Sequence, residues 1–124
     1  MRLLLDTHAL IWTAADPTRL SERAVAAITD PGNDVYVSAV SGWEVAIKRA
    51  RGRLRFPDVD RDLLRTLRLA ELPITLRHAV EAGHLPAHHR DPFDRMLVAQ
   101  ARVDDLMLVT RDRLLEPYDV ALWW

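Results

Sequence analysis

The sequence predicts an α/β chain with a central, mostly parallel sheet and helices on both faces, stacked in three layers. Three observations carry this. Short aliphatic runs alternate with longer helical stretches along the chain. The runs are apolar from end to end, as strands buried on both faces require. Finally, 124 residues without an internal repeat, low-complexity tract or linker suit one domain spanning residues 1–124.

Each element has its own signal. Arg2–Leu5 is a brief aliphatic run closed by Asp6, and Thr7–Ala15 is an Ala-rich helix ending before Pro17. Ser21 is the N-cap of a second helix that carries Ala24 to Ile28. The turn residues Asp30-Pro31-Gly32-Asn33-Asp34 lead into a β-branched and aromatic strand, Val35–Val37. Ser41–Arg51 reads as a helix stopped by Gly52. Asp60–Ala70 has Leu63, Leu64, Leu67 and Ala70 at helical spacing, followed by a strand at Leu72–Ile74. Thr75–Ala82 is a helix ahead of Gly83, and Pro92–Val103 is a helix with proline near its first turn. Met107–Val109 and Val120–Trp123 complete the sheet.

Composition narrows the function. Hydrophobic residues at 49% and charged residues at 28% describe a globular chain and not a disordered one. The absence of cysteine excludes disulfides, thiolate zinc sites, iron–sulfur clusters and thiol nucleophiles, and fits a reducing cytoplasm. No apolar run nears the roughly 20 residues of a membrane span, and Met1–Asp6 is too short for a signal peptide. Net charge is −1, yet Lys48–Arg68 holds eight basic residues against three acidic, a local +5 that leaves −6 elsewhere. Such a stripe suits a polyanion or an acidic partner, and equally a solvated helix face.

Four carboxylates stand out. Asp6 directly follows the first strand, and Asp112 follows Met107–Val109 across Thr110 and Arg111. In parallel α/β sheets ligands bind at the carboxyl ends of strands. Glu44 lies among Trp43, Val45, Ala46 and Ile47, and Asp94 shares a helix face with Leu97 and Val98. Each has a bland alternative: Asp6 and Asp112 as helix caps, Glu44 paired with Lys48 four residues on, and Asp94 as a first-turn acid. Convergence at one sheet edge is a further reading that these alternatives do not cover. Carboxylates held close repel unless a cation joins them, and oxygen ligands without cysteine or histidine suit Mg²⁺ or Mn²⁺. Such a cluster is the apparatus of phosphodiester hydrolysis.

Four segments carry these acids: Leu3-Leu4-Leu5-Asp6-Thr7-His8, Ser41-Gly42-Trp43-Glu44-Val45-Ala46, Arg90-Asp91-Pro92-Phe93-Asp94-Arg95-Met96-Leu97-Val98-Ala99-Gln100-Ala101 and Leu108-Val109-Thr110-Arg111-Asp112. In this order they resemble the PIN-domain nucleases, and most of all the VapC toxins of bacterial toxin–antitoxin pairs. The resemblance implies a PIN-like three-layer fold and a Mg²⁺- or Mn²⁺-dependent endoribonuclease acting on RNA. It implies a homodimer and a cognate VapB-like antitoxin, encoded upstream, whose tail enters the active-site groove. The acidic quartet would be Asp6, Glu44, Asp94 and Asp112, as metal ligands and catalytic residues. Thr110 would be the supporting strand-end hydroxyl, with Thr7 a lesser candidate.

Rival readings are a non-catalytic scaffold of the same fold and a phosphoaspartate protein using Asp6. The second is poorly served: His8 stands where dehalogenase-like phosphatases need aspartate, and Lys48 is the only lysine. The five histidines are read as surface or loop residues, Trp12 and Trp43 as core, and Trp123 and Trp124 as part of a closing strand packed on the core. Pro92 sets the helix start, so Asp91 falls at the N-cap and Asp94 points with Leu97 and Val98.

Overall fold

Leu3, Leu4 and Leu5 are wholly buried in the computed structural model, which describes residues 1–124. The strand they form, β1 (Arg2–Leu5), is paired on both sides and covered on both faces. It runs parallel to β2 (Asp34–Ser38) on one side and to β4 (Met107–Val109) on the other. β3 (Ala70–Leu72) extends the sheet beyond β2, and β5 (Leu122–Trp123) extends it beyond β4. The order is β3-β2-β1-β4-β5 and all four pairings are parallel. The chain therefore winds outward from β1 in one direction and then returns to wind in the other. That reversal falls between β1 and β4, where parallel sheets open a crevice at their carboxyl ends.

Alternate residues of β1 face opposite layers. Leu3 and Leu5 join Leu10 and Trp12 of α1 (Thr7–Ala15), Ala24 and Ala27 of α2 (Glu22–Thr29) and Leu64 of α4 (Arg61–Leu67). Leu4 joins Val40 of α3 (Ala39–Ala50) and Leu97, Val98 and Ala101 of α6 (Pro92–Val103), with Ala82 of α5 (Leu76–His84) packed alongside. Asp6, Ser21, Ser38, Asp60, Thr75 and Asp91 cap α1 to α6 respectively, each accepting a backbone N–H of the first turn. None of the helices is long and apolar enough to cross a membrane.

Several boundaries differ from expectation, each for a local reason. α3 starts two residues early, at Ala39, because Ser38 provides the cap. It ends as expected at Gly52, left-handed at φ 68°, with Arg53 N–H reaching Lys48 C=O at 2.9 Å. α4 stops at Leu67 and not at Ala70, because Arg68 turns left-handed at φ 59°. Leu69 N–H then bonds Leu64 C=O at 2.8 Å, and both leucines enter the core. The third strand therefore begins at Ala70, two residues before Leu72–Ile74, and β5 is trimmed to Leu122–Trp123.

His78 is not a surface residue but is 2% exposed. Its Nδ1 accepts Thr75 N–H at 3.0 Å and its Nε2 meets Asp104 at 2.8 Å. Trp43 departs in the other direction: it is 62% exposed and packs edge-on against Phe93. Trp123 and Trp124 pack against the core as expected.

A side chain in the left-handed region costs about 1–2 kcal/mol, which glycine avoids. Arg68→Gly should therefore raise stability by about 0.5–1 kcal/mol after glycine's extra unfolded-state entropy is counted. Urea unfolding would register this as a higher midpoint at unchanged m-value.

Candidate active site

The strand order sets the site. Asp6 leaves β1 and Thr110 leaves β4 side by side, and Asp6 N–H is tied to Val109 C=O at 3.0 Å. Asp6 is buried, and its Oδ1 caps α1 through Ala9 N–H at 2.7 Å. The Thr110 hydroxyl, also buried, donates to Asp6 and accepts Asp112 N–H at 3.0 Å. One hydroxyl thus ties the Asp6 carboxyl to the Asp112 backbone. Asp112 Oδ1 in turn takes Leu114 N–H at 3.0 Å, capping a short 3₁₀ turn.

Glu44 enters from α3 and is buried. Its Oε1 accepts the Thr7 hydroxyl at 2.7 Å, and Thr7 also meets Ser41 Oγ at 2.9 Å. Its Oε2 pairs with Lys48 at 2.5 Å. The helical ion pair and the inward position therefore coexist: Lys48 reaches Glu44 from the half-exposed flank while the carboxylate stays under the sheet edge. Thr7 serves Glu44 and not Asp6.

Asp94 projects from the first turn of α6. Asp91 is the cap, accepting Phe93 N–H at 2.8 Å and Asp94 N–H at 3.4 Å. Burial pushes the Asp94 carboxyl up to about 7, and the negative charges of Asp91, Asp6 and Glu44 add to this while His89 opposes it. Burial also raises Asp6, against hydrogen bonds from Thr110 and Ala9 and the positive influence of His8, with Glu44 adding to the rise. The structure brings Asp6, Glu44, Asp94, Asp112, Thr110 and Thr7 together at one sheet edge.

His89 belongs there too, and sequence reasoning missed it. Its Nε2 lies 3.0 Å from Asp112 Oδ2 and 3.5 Å from Asp94 Oδ2. The backbone N–H of Asp91 occupies Nδ1 at 3.0 Å, so the neutral ring carries its proton on Nε2 and donates to Asp112. His89, Asp94 and Asp112 lie close enough to share an ion, but that tautomer makes His89 a donor that steadies a carboxylate and not a ligand. The only available signal was its place two residues before the capping Asp91, in a loop whose path no periodicity reveals.

Chemically, the site offers partly desolvated oxygen donors from four elements. Such a set holds a hard divalent cation.

Comparison with known proteins places this geometry. Residues 3–120 match the model of the PIN domain. The chain is 33% identical to Ribonuclease VapC22 of Mycobacterium tuberculosis (strain ATCC 25618 / H37Rv), with 98% of each chain covered. Among solved structures it resembles VapBC2 from Rickettsia felis bound to a DNA fragment from their promoter, with a TM-score of 0.71 at 13% identity over 99% of this chain and 98% of that one. It also resembles FitAcB from Neisseria gonorrhoeae, with a TM-score of 0.62 at 21% identity over 98% of this chain and 96% of that one. These two likenesses show the fold.

Asp94 makes metal-free stability depend on pH. Between the ordinary 3.8 and about 7 the folded state holds a proton that the unfolded state has released. Stability should therefore fall as pH rises from about 4 to 7, and Asp6 adds in the same sense. In EDTA at pH 7.5, Asp94→Asn should melt higher than the unsubstituted chain and show a flatter pH profile. Asp91→Asn should change melting little, since asparagine caps as well as aspartate.

Proposed function

We propose that this chain, which belongs to the PIN-domain family, is an endoribonuclease toxin that hydrolyses RNA phosphodiester bonds with Mg²⁺ or Mn²⁺. Residues 1–124 form its single nuclease domain, acting in the cytoplasm as a homodimer and silenced by a cognate antitoxin. The observation that carries the reading is the gathering of four carboxylates at the β1/β4 edge, where burial lifts Asp94 to about 7 and the charges of Asp91, Asp6 and Glu44 add to the rise. A pure scaffold has no use for that crowding.

The donor set fits a divalent ion. Thr110, Thr7 and Lys48 satisfy only part of the carboxylate oxygens, and no thiolate is present to favour zinc. Asp6, Glu44, Asp94 and Asp112 would hold it. A bound Mg²⁺ or Mn²⁺ lowers the pKa of an attacking water and neutralises charge developing on phosphorus oxygens. Asp94 must then lose its proton, which the charge of a bound cation would make favourable. Thr110 keeps Asp6 and Asp112 in fixed relation, and His89 holds Asp112 from the opposite side. Glu44, fixed by Thr7 and Lys48, closes the cluster from α3.

Two of the solved structures of similar fold are described as a toxin–antitoxin complex and as a member of the VapBC family of toxin–antitoxin systems. An antitoxin for this chain would need a basic group able to enter an acidic cleft.

Cleavage of single-stranded or looped RNA should require Mg²⁺ or Mn²⁺ and stop in EDTA. Asp6→Asn and Asp94→Asn should each lower kcat by at least on the order of a hundredfold, while Asp91→Asn stays near the unsubstituted rate. Full activity in EDTA overturns the metal mechanism. Co-expression with the protein encoded immediately upstream should give a complex that co-elutes and relieves growth arrest. A chain that stays toxic and elutes alone overturns the antitoxin assignment.

A further inference from the structure

Beside the acids lies a cleft of about 340 Å³ with opposite charge on its walls. Asp6 and Asp112 line one side, and Arg111, Arg113 and His8 line it with Trp12. The Arg111 guanidinium sits over the Trp12 indole at 4.6 Å from the ring centroid, Arg19 over the same indole at 4.8 Å, and His8 stacks on it at 5.4 Å. Trp12 is itself fixed in the core and braced by Trp124. The side chains of Arg111 and Arg19 form no ion pair and donate no hydrogen bond within the chain. They hold their charge ready beside carboxylates without being neutralised by them.

We propose that Arg111, held over the Trp12 ring, binds the RNA phosphate that flanks the scissile one. The proposal rests on the ribonuclease reading and adds to it a subsite of named chemistry. A guanidinium over an aromatic face keeps its planar fork of N–H groups free for the paired oxygens of a phosphate. The contact also fixes its orientation before the ligand arrives, so little freedom is lost on binding. Position supports this: Arg111 lies between Thr110 and Asp112, one residue from each. A strand whose scissile phosphate reaches the carboxylates would pass its neighbouring phosphate across this wall.

The Lys48–Arg68 stripe serves that role less well. α3 runs back from the sheet edge, so Arg51 stands seven residues and about 10 Å along the axis beyond Glu44. Part of its charge is already spent, with Lys48 on Glu44, Arg49 on Asp58 and Arg65 on Asp62.

The test measures binding of a short single-stranded RNA to Asp94→Asn protein in Mg²⁺, titrated with KCl, so that no turnover intervenes. Adding Arg111→Ala should weaken binding about tenfold, the scale of a charge-assisted contact, and lower the slope of log Kd against log salt by about 0.7. Arg111→Lys should recover the slope but not the full affinity. In otherwise unsubstituted protein, Arg111→Ala should raise KM more than it lowers kcat. An unchanged slope and KM, with or without a lower melting temperature, would reduce Arg111 to a cover for Trp12 and overturn the proposal. So would a slope lost only on replacing Arg51, Arg53 and Arg55, or an effect confined to antitoxin binding. A chain that never cleaves RNA would sink the ribonuclease reading, and the Arg111 slope would still decide the subsite.

Discussion

The double pairing of β1 is the constraint from which the rest follows. A strand with Leu3, Leu4 and Leu5 wholly buried must be covered above and below and hydrogen-bonded on both edges. An interior place in a parallel sheet supplies this, and the crossover connections then force helices onto both faces. Because β2 and β4 take the two sides of β1, the chain reverses its winding there. The residues that leave β1 and β4 are Asp6 and Thr110 with Asp112. The site is thus a by-product of where the most apolar strand had to go.

Gathering carboxylates has a cost that the helices must be able to withstand. Lifting Asp94 from 3.8 to about 7 corresponds to on the order of 4 kcal/mol at higher pH. Turning α6 to free Asp94 would carry Leu97, Val98 and Ala101 out of the core, where each is at most 1% exposed. Burying one leucine or valine side chain is worth about 1.5–3 kcal/mol, so those residues together outweigh the gain. The Asp91 cap and Pro92 further fix where the helix begins. Packing holds the charge in place.

Much of this was legible in the sequence, and the failures have physical causes. Strand runs and cap residues declare themselves locally, which is why Ser21 and Asp91 marked their helices correctly. The α4 end was hidden because a left-handed arginine leaves no composition signal, and only the pull of Leu69 into the core explains it. Trp43 looked like core by type, yet it lies on the exposed flank of the helix whose next residue, Glu44, is buried. His89 and Arg111 were hidden for another reason. Their meaning depends on neighbours 23 and 99 residues away, Asp112 and Trp12. Charge counted along the chain drew attention to Lys48–Arg68, whereas charge counted in space concentrates at the sheet edge.

One question remains within the cleft: why Arg111 does not collapse onto the adjacent carboxylates. Opposite charges this close ordinarily pair, and a paired guanidinium would have nothing left for a phosphate. The magnitudes favour the open arrangement. An exposed ion pair is worth about 0–1 kcal/mol, because water screens it and two side chains must be ordered. A guanidinium over tryptophan gains about 0.5–1 kcal/mol when exposed and about 2 when desolvated. Trp12 has its indole braced by Trp124 and the core, so its half of the ordering cost is already met. Asp112, meanwhile, is engaged by Leu114 N–H on one oxygen and by His89 on the other, which leaves it a poor competitor. The indole therefore acts as a spacer. It keeps a cationic wall and an anionic wall within one cleft, so that the acids can answer to a metal ion and the arginine to a polyanion.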